Sequence, residues 1–147
     1  MACRGCTRRE FLAGTMKAVA TAGVAAYGLQ GCTQATKPGV KTVTVDISQP
    51  ANAALASAGG AVFVNNPNDA ERAIIVYRAA ADKVNAFTSR CTHQGGQVGL
   101  PSGGVETCAL HGSQFSTDGS LIQGPAALPL PVYPATLNGT VITITVS

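Results

Sequence analysis

The feature that most constrains this chain is a pair of short motifs, each of which places a histidine just after a cysteine. Cys91 is followed by His93, and Cys108 is followed by His111, with fourteen residues between the two motifs. The chain of 147 residues contains two histidines, and both are used here. Thiolate and imidazole groups are strong ligands of transition metals. If the two motifs lie on facing loops, they predict a metal centre.

The segment around these motifs is poor in residues that build a core. Eight glycines fall between Gly95 and Gly124, and no apolar period persists through this stretch. Loops of this kind cannot bury enough side-chain surface to hold their own shape, whereas metal-ligand bonds can fix them. We therefore predict loops that are held in place by a bound metal centre.

Outside this segment the chain has the pattern of short antiparallel strands. Residues 42–47 and 141–146 alternate valine or isoleucine with polar residues, mostly threonine, and a period of two is typical of a half-buried strand. Asn138-Gly139 is a two-residue turn signal, so the chain is expected to end on a hairpin. Further strands are predicted at residues 61–64, 73–78, 83–88, 105–108 and 119–122, while residues 50–60 fit either a loop or a short helix. The expected fold class is all-β.

The charge distribution excludes one class of partner. The formal net charge is +3, but the basic excess lies within the first seventeen residues, and the rest of the chain has six acidic and six basic residues. A neutral body lacks the positive surface that binding to nucleic acid requires. We therefore expect no nucleic acid partner.

The start of the chain has the pattern of an export signal. Residues 7–12, Thr-Arg-Arg-Glu-Phe-Leu, resemble the twin-arginine signal. Residues 18–29 are uncharged and mostly apolar, which suits the core of a signal peptide and is short for a membrane span. Cys32 follows Leu-Gln-Gly in the manner of a lipobox and is expected to carry lipid after cleavage. The predicted organisation is a signal peptide at 1–31, a flexible tether at 32–41 and a folded domain at 42–147.

This organisation predicts a domain tethered at the periplasmic, extracytoplasmic face of the cytoplasmic membrane. The alternative is an uncleaved anchor helix over residues 11–29, which Lys17 and several small or polar residues weaken. Twin-arginine export carries folded proteins, which suits a domain whose metal centre is assembled before export. Cys3 and Cys6 form a Cys-x-x-Cys inside this leader, and we interpret that spacing as chance.

Three kinds of site could use the two motifs. A disulfide between Cys91 and Cys108 would suit an exported domain, but it leaves both histidines without a role. A structural zinc site usually groups its cysteines ahead of its histidines, whereas the two types alternate here. Two thiolates and two imidazoles, with one of each on either loop, are the ligand set of a Rieske [2Fe-2S] cluster. The residues favour this third interpretation.

The two motifs resemble the Rieske [2Fe-2S] family, whose pattern is Cys-x-His, a spacer and Cys-x-x-His. The resemblance implies a small antiparallel β domain of stacked sheets, with one cluster in a loop subdomain at its tip. Cys91 and Cys108 would ligate the inner iron, and His93 and His111 the outer iron. It also implies that the Ser113 hydroxyl donates a hydrogen bond to a bridging sulfide, which raises the reduction potential.

Some positions depart from the cytochrome bc-type members of the family. Those proteins carry two further cysteines that form a disulfide between the loops, and this chain has Gly96 and Leu110 at the corresponding positions. Gln94 replaces the leucine that faces quinol in those relatives, and Phe115 replaces a tyrosine that bonds the cluster. We therefore expect no disulfide brace, and a potential inside the Rieske range of roughly −150 to +300 mV.

The expected function is one-electron transfer, either as an exported, membrane-tethered carrier or as the Rieske subunit of a respiratory oxidoreductase. The expected partner is a cytochrome, an oxidoreductase large subunit or a quinol. The alternatives are the iron-sulfur subunit of a bc-type quinol-cytochrome c reductase with an uncleaved anchor, and a structural zinc-binding module. A Rieske oxygenase also needs a mononuclear iron held by two histidines and a carboxylate. The two motifs already use both histidines, so this chain is not expected to be an oxygenase by itself.

Overall fold

The computed structural model describes residues 39–147, which form short antiparallel strands and one 3-10 helix. The predicted signal peptide, the lipobox and most of the predicted tether lie outside the described residues. Within residues 39–147, no helix is long and apolar enough to cross a membrane. The elements in chain order are β1 Lys41–Asp46, the 3-10 helix Pro50–Ala56, β2 Ala61–Val64, β3 Ile74–Arg78, β4 Val84–Thr88, β5 Val105–Thr107, β6 Gln114–Ser116, β7 Leu121–Gln123, β8 Ala135–Asn138 and β9 Val141–Val146.

The strands form three small sheets of three strands each, with the orders β1-β9-β8, β2-β3-β4 and β5-β6-β7. All their pairings are antiparallel. The first sheet brings the start of the domain against its end, with Val45 opposite Ile142 and Lys41 opposite Val146. The third sheet comes entirely from the glycine-rich segment. The first cysteine-histidine motif lies before β5, and the second lies in the connection between β5 and β6.

The middle sheet has a buried face on each side, because neighbouring residues of a strand point to opposite faces. On β3, Ile74 and Val76 join a core with residues of the first sheet, while Ile75 joins a second core. On β4, Phe87 belongs to the second core and Ala86 to the first. The first core is made of aliphatic side chains from β1, β2, β3, β4, β9 and the 3-10 helix. The second core contains Ile75, Phe87, Cys91, Val98, Cys108, Phe115, Ala126 and Leu130.

The strand predictions are confirmed to within a residue or two, and the all-β fold class is confirmed. Strand β1 begins one residue earlier than predicted, at Lys41. Residues 50–56 form the 3-10 helix, with Pro50 at its start and Leu55 buried. Strand β6 was not predicted, because its residues Gln114–Ser116 have no period-two apolar pattern and Phe115 is their single large apolar side chain. The closing hairpin at Asn138-Gly139 is confirmed, and Gly139 adopts the positive φ of 60° that such a turn requires.

Candidate metal centre

The first motif forms a tight loop that follows β4. The Cys91 amide donates to the Gly96 carbonyl at 2.8 Å, and the Gly95 amide donates to the Cys91 carbonyl at 2.9 Å. Gly95 has a φ of 70°, a conformation that side chains with a Cβ rarely adopt. The loop buries Cys91, which is 3% exposed, and presents His93 to solvent.

The second motif repeats the same hydrogen bonds. The Cys108 amide donates to the Ser113 carbonyl at 2.8 Å, and the Gly112 amide donates to the Cys108 carbonyl at 3.0 Å. Gly112 also has a positive φ, of 75°. Cys108 is 1% exposed, while His111 is exposed. The two loops therefore share one backbone pattern, although one spaces its histidine by one residue and the other by two.

The structure places the two loops that carry the predicted ligands next to each other. The Ala109 amide donates to the Gln97 carbonyl at 3.1 Å, and Val98 forms a bridge with Cys108, so the two loops run side by side. The Nδ1 atoms of His93 and His111 are 3.1 Å apart, with ring centroids at 4.8 Å. Two nitrogens bound to one transition metal at about 2.0–2.1 Å lie about 3.0–3.4 Å apart. The imidazole pair therefore has the spacing of two ligands on a single ion.

The two cysteines form the buried half of the site. Both are free thiols, so the disulfide interpretation is wrong. Burial raises the pKa of the Cys91 thiol, and the neighbouring Cys108 sulfur raises it further, whereas hydrogen bonds from the His93 amide and the Ser113 hydroxyl lower it. Thiolates so far from water need a cation beside them. Two irons would supply that charge, so the donor set fits a [2Fe-2S] cluster.

The ligands form two separate pairs, one of thiols and one of imidazoles. A structural zinc site gathers four ligands around one ion. Across residues 39–147, no group of three or more Cys, His, Asp or Glu side chains is arranged to hold a single metal ion. One buried thiol pair and one exposed imidazole pair instead match a binuclear centre, in which each iron takes two protein ligands.

Ser113 is fully buried behind the cysteines. Its Oγ accepts a hydrogen bond from the Ala126 amide at 3.0 Å and contacts the Cys91 thiol. Because the amide already supplies the oxygen with a donor, the hydroxyl proton is left to point toward the sulfur side. This placement suits the predicted hydrogen bond to a sulfide, which stays a prediction.

A third loop, residues 124–130, completes the site. The Thr92 hydroxyl donates to the Leu128 carbonyl at 2.7 Å, which ties this loop to the residue beside His93. Leu128 and Leu110 are 65% and 55% exposed, so apolar side chains flank the histidines. The contact of this loop with the first motif could not be predicted, because no local pattern encodes a bond between residues 36 positions apart.

The glycine and the leucine at the expected brace positions are in direct contact. A Cβ added at Gly96 would fall 2.8 Å from the Leu110 Cβ and 3.0 Å from the Cys108 Sγ. Neither residue has a sulfur atom, so no disulfide can join the two loops at these positions. Leucine packing over a glycine takes the place of that bond.

Comparison with known proteins identifies the family. The model of the Rieske [2Fe-2S] domain matches residues 58–134, and the chain belongs to this family. The cofactor is therefore one [2Fe-2S] cluster, and the domain is of the Rieske electron-transfer type. No curated protein matches the chain in sequence.

Solved structures show the same relationship. The cyanobacterial plasma membrane Rieske protein PetC3 from Synechocystis PCC 6803 is 28% identical, with a TM-score of 0.51 over 57% of this chain and 84% of that one. A chain in the complex of reduced oxygenase and oxidized ferredoxin in carbazole 1,9a-dioxygenase is 25% identical, with a TM-score of 0.50 over 60% of this chain and 90% of that one. Naphthalene 1,2-dioxygenase shares the fold at 18% identity and a TM-score of 0.56, over 71% of this chain and 25% of its own.

Proposed function

We propose that this chain is an exported, membrane-tethered electron carrier or the Rieske subunit of a respiratory oxidoreductase. In this proposal Cys91 and Cys108 hold the inner iron of the cluster, and His93 and His111 hold the outer iron. The observation that best supports this proposal is the asymmetry of the site. Two thiols are buried, whereas two imidazoles are exposed and have their Nδ1 atoms 3.1 Å apart.

The asymmetry gives each ligand pair a separate task. The cluster, when bound, supplies reversible one-electron reduction. The buried cysteines keep water away from the inner end, which limits loss of the centre and favours a low local dielectric. The exposed histidines bring the outer end to the surface, where a redox partner can approach it closely.

The surface around the histidines supports a protein partner that docks through apolar contact. Residues 91–97, 108–114 and 124–130 contain no Asp, Glu, Lys or Arg. Leu110 and Leu128 are exposed in this neutral area. The charged side chains that border the first loop, Asp69, Glu71, Arg72 and Arg90, sum to zero. Charge steering is therefore expected to be weak, and electron transfer to a cytochrome or a large subunit is expected to depend little on ionic strength.

The location of the protein is part of the same proposal. The twin-arginine pattern at residues 7–12 supports export of the folded domain, and Cys32 supports a lipid anchor at the start of the predicted tether, residues 32–41. The similarity to a plasma membrane Rieske protein of Synechocystis is consistent with a tethered domain.

Spectroscopy and analysis of the purified full chain test the proposed cofactor and ligands. We expect two irons and two acid-labile sulfides per chain, and a reduced EPR spectrum with the low average g value of mixed cysteine and histidine ligation. The Cys108→Ser variant should lose this spectrum. A sample that contains zinc and gives no EPR signal after reduction would contradict the proposal.

Cell fractionation tests the proposed location separately. The wild-type chain should sediment with membranes and be reached by protease added outside the cytoplasmic membrane. The Cys32→Ser variant should appear in the soluble fraction, because it has no site for lipid. Membrane attachment that persists unchanged in this variant would support an uncleaved anchor over residues 11–29 instead.

A further inference from the structure

The outer side of the first cluster loop is held by a segment from another part of the chain. Residues 69–72 lie in the connection between β2 and β3, and Arg72 reaches from there to the loop. Its Nε donates to the Gly95 carbonyl at 2.9 Å, and its Nη1 donates to the Glu71 carbonyl at 2.8 Å. Gly95 is the residue whose amide closes the turn onto Cys91. A guanidinium is therefore bonded directly to the turn that positions a proposed cluster ligand.

A second arginine reaches from the cluster loop back to residues 69–71. Arg90 precedes Cys91, and its Nε donates to the Asp69 carboxylate at 2.8 Å, while its Nη2 lies 3.3 Å from the Glu71 carboxylate. The hydrogen bond from Arg90 holds the pKa of Asp69 below its ordinary value. A Cβ at Gly95 would fall 3.1 Å from Nη1 of Arg90, so this guanidinium also packs against Gly95. We call Asp69, Glu71, Arg72 and Arg90 the arginine clamp.

The two connections differ in strength. The ion pair of Arg90 is partly exposed, with 44% of the arginine side chain accessible, and surface ion pairs contribute little to stability. The bond from Arg72 to Gly95 is charge-assisted and partly buried, which makes it the stronger contact. The Arg90 pair therefore mainly orders residues 69–71, and Arg72 holds the loop.

The loop needs such a contact because other restraints are few. Gly95 and Gly96 allow many backbone conformations, and ordering them costs more entropy than ordering other residues. The positions that carry the disulfide in the bc-type pattern are Gly96 and Leu110, which cannot form a covalent bond. A fixed guanidinium on the Gly95 carbonyl restrains this pair of glycines.

We propose that Arg72 is a positioning residue of the metal centre, which holds the Cys91–Gly96 turn in its metal-binding shape through the Gly95 carbonyl. The inference rests on the proposed function, since it takes Cys91 and His93 as ligands. Arg72 also brings a positive charge to the loop. That charge favours the reduced cluster, because reduction adds a negative charge.

Three variants of the full, cluster-loaded chain test the clamp. Arg72→Met removes both the bond and the charge, and Arg72→Lys keeps the charge without the planar fork. Arg78→Met is the matched control, because Arg78 also donates to backbone carbonyls, those of Ala80 and Ala81, but in the β3–β4 turn. The measurements are the rate at which the visible absorption of the cluster is lost, the reduction potential, and hydrogen exchange of the amides in residues 91–96.

We expect Arg72→Met to lose the cluster about tenfold faster than the wild type, as the loss of one charged hydrogen bond predicts. Its reduction potential should fall, and exchange in residues 91–96 should accelerate. Arg72→Lys should keep the potential and recover part of the cluster lifetime. Arg78→Met should match the wild type in potential and in exchange of residues 91–96, which separates positioning from general destabilisation.

The clamp and the proposed function fail in different ways. If Arg72→Met keeps the wild-type cluster lifetime, potential and exchange rates, Arg72 is not a positioning residue, while the cluster assignment stands. If the wild-type chain carries no [2Fe-2S] cluster, the proposed function fails. In that case hydrogen exchange still decides the clamp, because Arg72→Met must loosen residues 91–96 relative to Arg78→Met.

Discussion

The two cores of this domain are built on different principles. The first core, between the β1-β9-β8 and β2-β3-β4 sheets, is a set of aliphatic side chains with Ile74, Ile142 and Ile144 fully buried. The second core, beside the cluster loops, includes two thiols and lies next to a buried carboxyl group, Glu106. The first core buries apolar side chains only, whereas the second buries two thiols and lies beside a carboxyl group, and burial of polar groups costs free energy unless a partner compensates for it.

The sheet beside the cluster loops is small, and it is supported by the rest of the domain. The β5-β6-β7 sheet has strands of three residues, and the loops around it are rich in glycine. The β2-β3-β4 sheet contributes one face to each core, so the aliphatic side supports the polar side through shared strands. The stability of the first core and the binding of the cluster should therefore respond to different substitutions.

The largest effect is expected from a cavity in the first core. Ile142 is fully buried on β9, and Ile142→Ala should lower the free energy of unfolding by about 2–5 kcal/mol, because it removes apolar contacts and leaves a void. Denaturation followed by circular dichroism measures this loss. Ile122→Ala is the control, since Ile122 on β7 is 53% exposed and should change stability little. A similar loss of unfolding free energy in both variants would contradict the proposed difference between the first core and the sheet beside the cluster loops.

The next effect concerns the buried carboxyl group beside the second core. Glu106 is fully buried, and within residues 39–147 neither of its oxygens has a hydrogen-bond partner. Burial, assisted by the negative charge of Asp118, raises the pKa of Glu106 to about 8. The unfolded chain releases this proton near pH 4.3, so between about pH 4.3 and 8 the folded state holds a proton that the unfolded state has lost. Stability should therefore fall as the pH rises through this window.

Glu106→Gln tests this dependence, because glutamine has a similar shape and no charge. From pH 6 to pH 8.5 the wild type should lose about 2–3 kcal/mol of stability relative to the variant. Denaturant titrations of both proteins across this range measure the difference. Parallel pH profiles for the two chains would show that Glu106 is ionised in the folded state, and that the second core tolerates a charge.

A smaller and more local effect is expected at the contact between the two cluster loops. Gly96→Ala would place a methyl group 2.8 Å from the Leu110 Cβ and 3.0 Å from the Cys108 Sγ. Overpacking of this kind costs about 1–3 kcal/mol, and here it should push the loops apart and shorten the lifetime of the bound cluster.

Gly99→Ala is the matched control for this substitution. Its new Cβ would approach its nearest neighbour, the Thr107 carbonyl oxygen, at an ordinary 3.5 Å. The loss of visible absorption during incubation with a chelator measures cluster lifetime in both variants. Equal lifetimes would mean that the loops tolerate a wider separation than their packing suggests.

Much of the fold and of the site could be predicted from local sequence patterns. The alternation in residues 141–146 predicted a strand because a period of two places every second side chain on one face of a sheet, and Asn138-Gly139 predicted its hairpin because both residues tolerate a positive φ. The four proposed ligands were predicted because two thiolates and two imidazoles, with one of each on either loop, are the ligand set of a Rieske [2Fe-2S] cluster. Strand β6 could not be predicted, because it exists only where β5 and β7 pair with it on either side.

Contacts between distant segments were beyond the reach of sequence patterns. Arg72 lies 23 positions before Gly95, and nothing in its neighbourhood distinguishes it from a solvated arginine. Glu106 was equally hidden, since a glutamate between valine and threonine on a short strand is expected to face solvent.

The sequence alone therefore determined the chemistry of this protein, while tertiary structure decided its geometry. The proposed ligands, their spacing and the strand periodicity depend on neighbouring residues, so they can be predicted from the sequence without a fold. The 3.1 Å approach of His93 to His111, the burial of both thiols and the reach of Arg72 to Gly95 depend on how three sheets pack. These contacts join residues that are far apart in the chain, so they can be seen only in the folded structure.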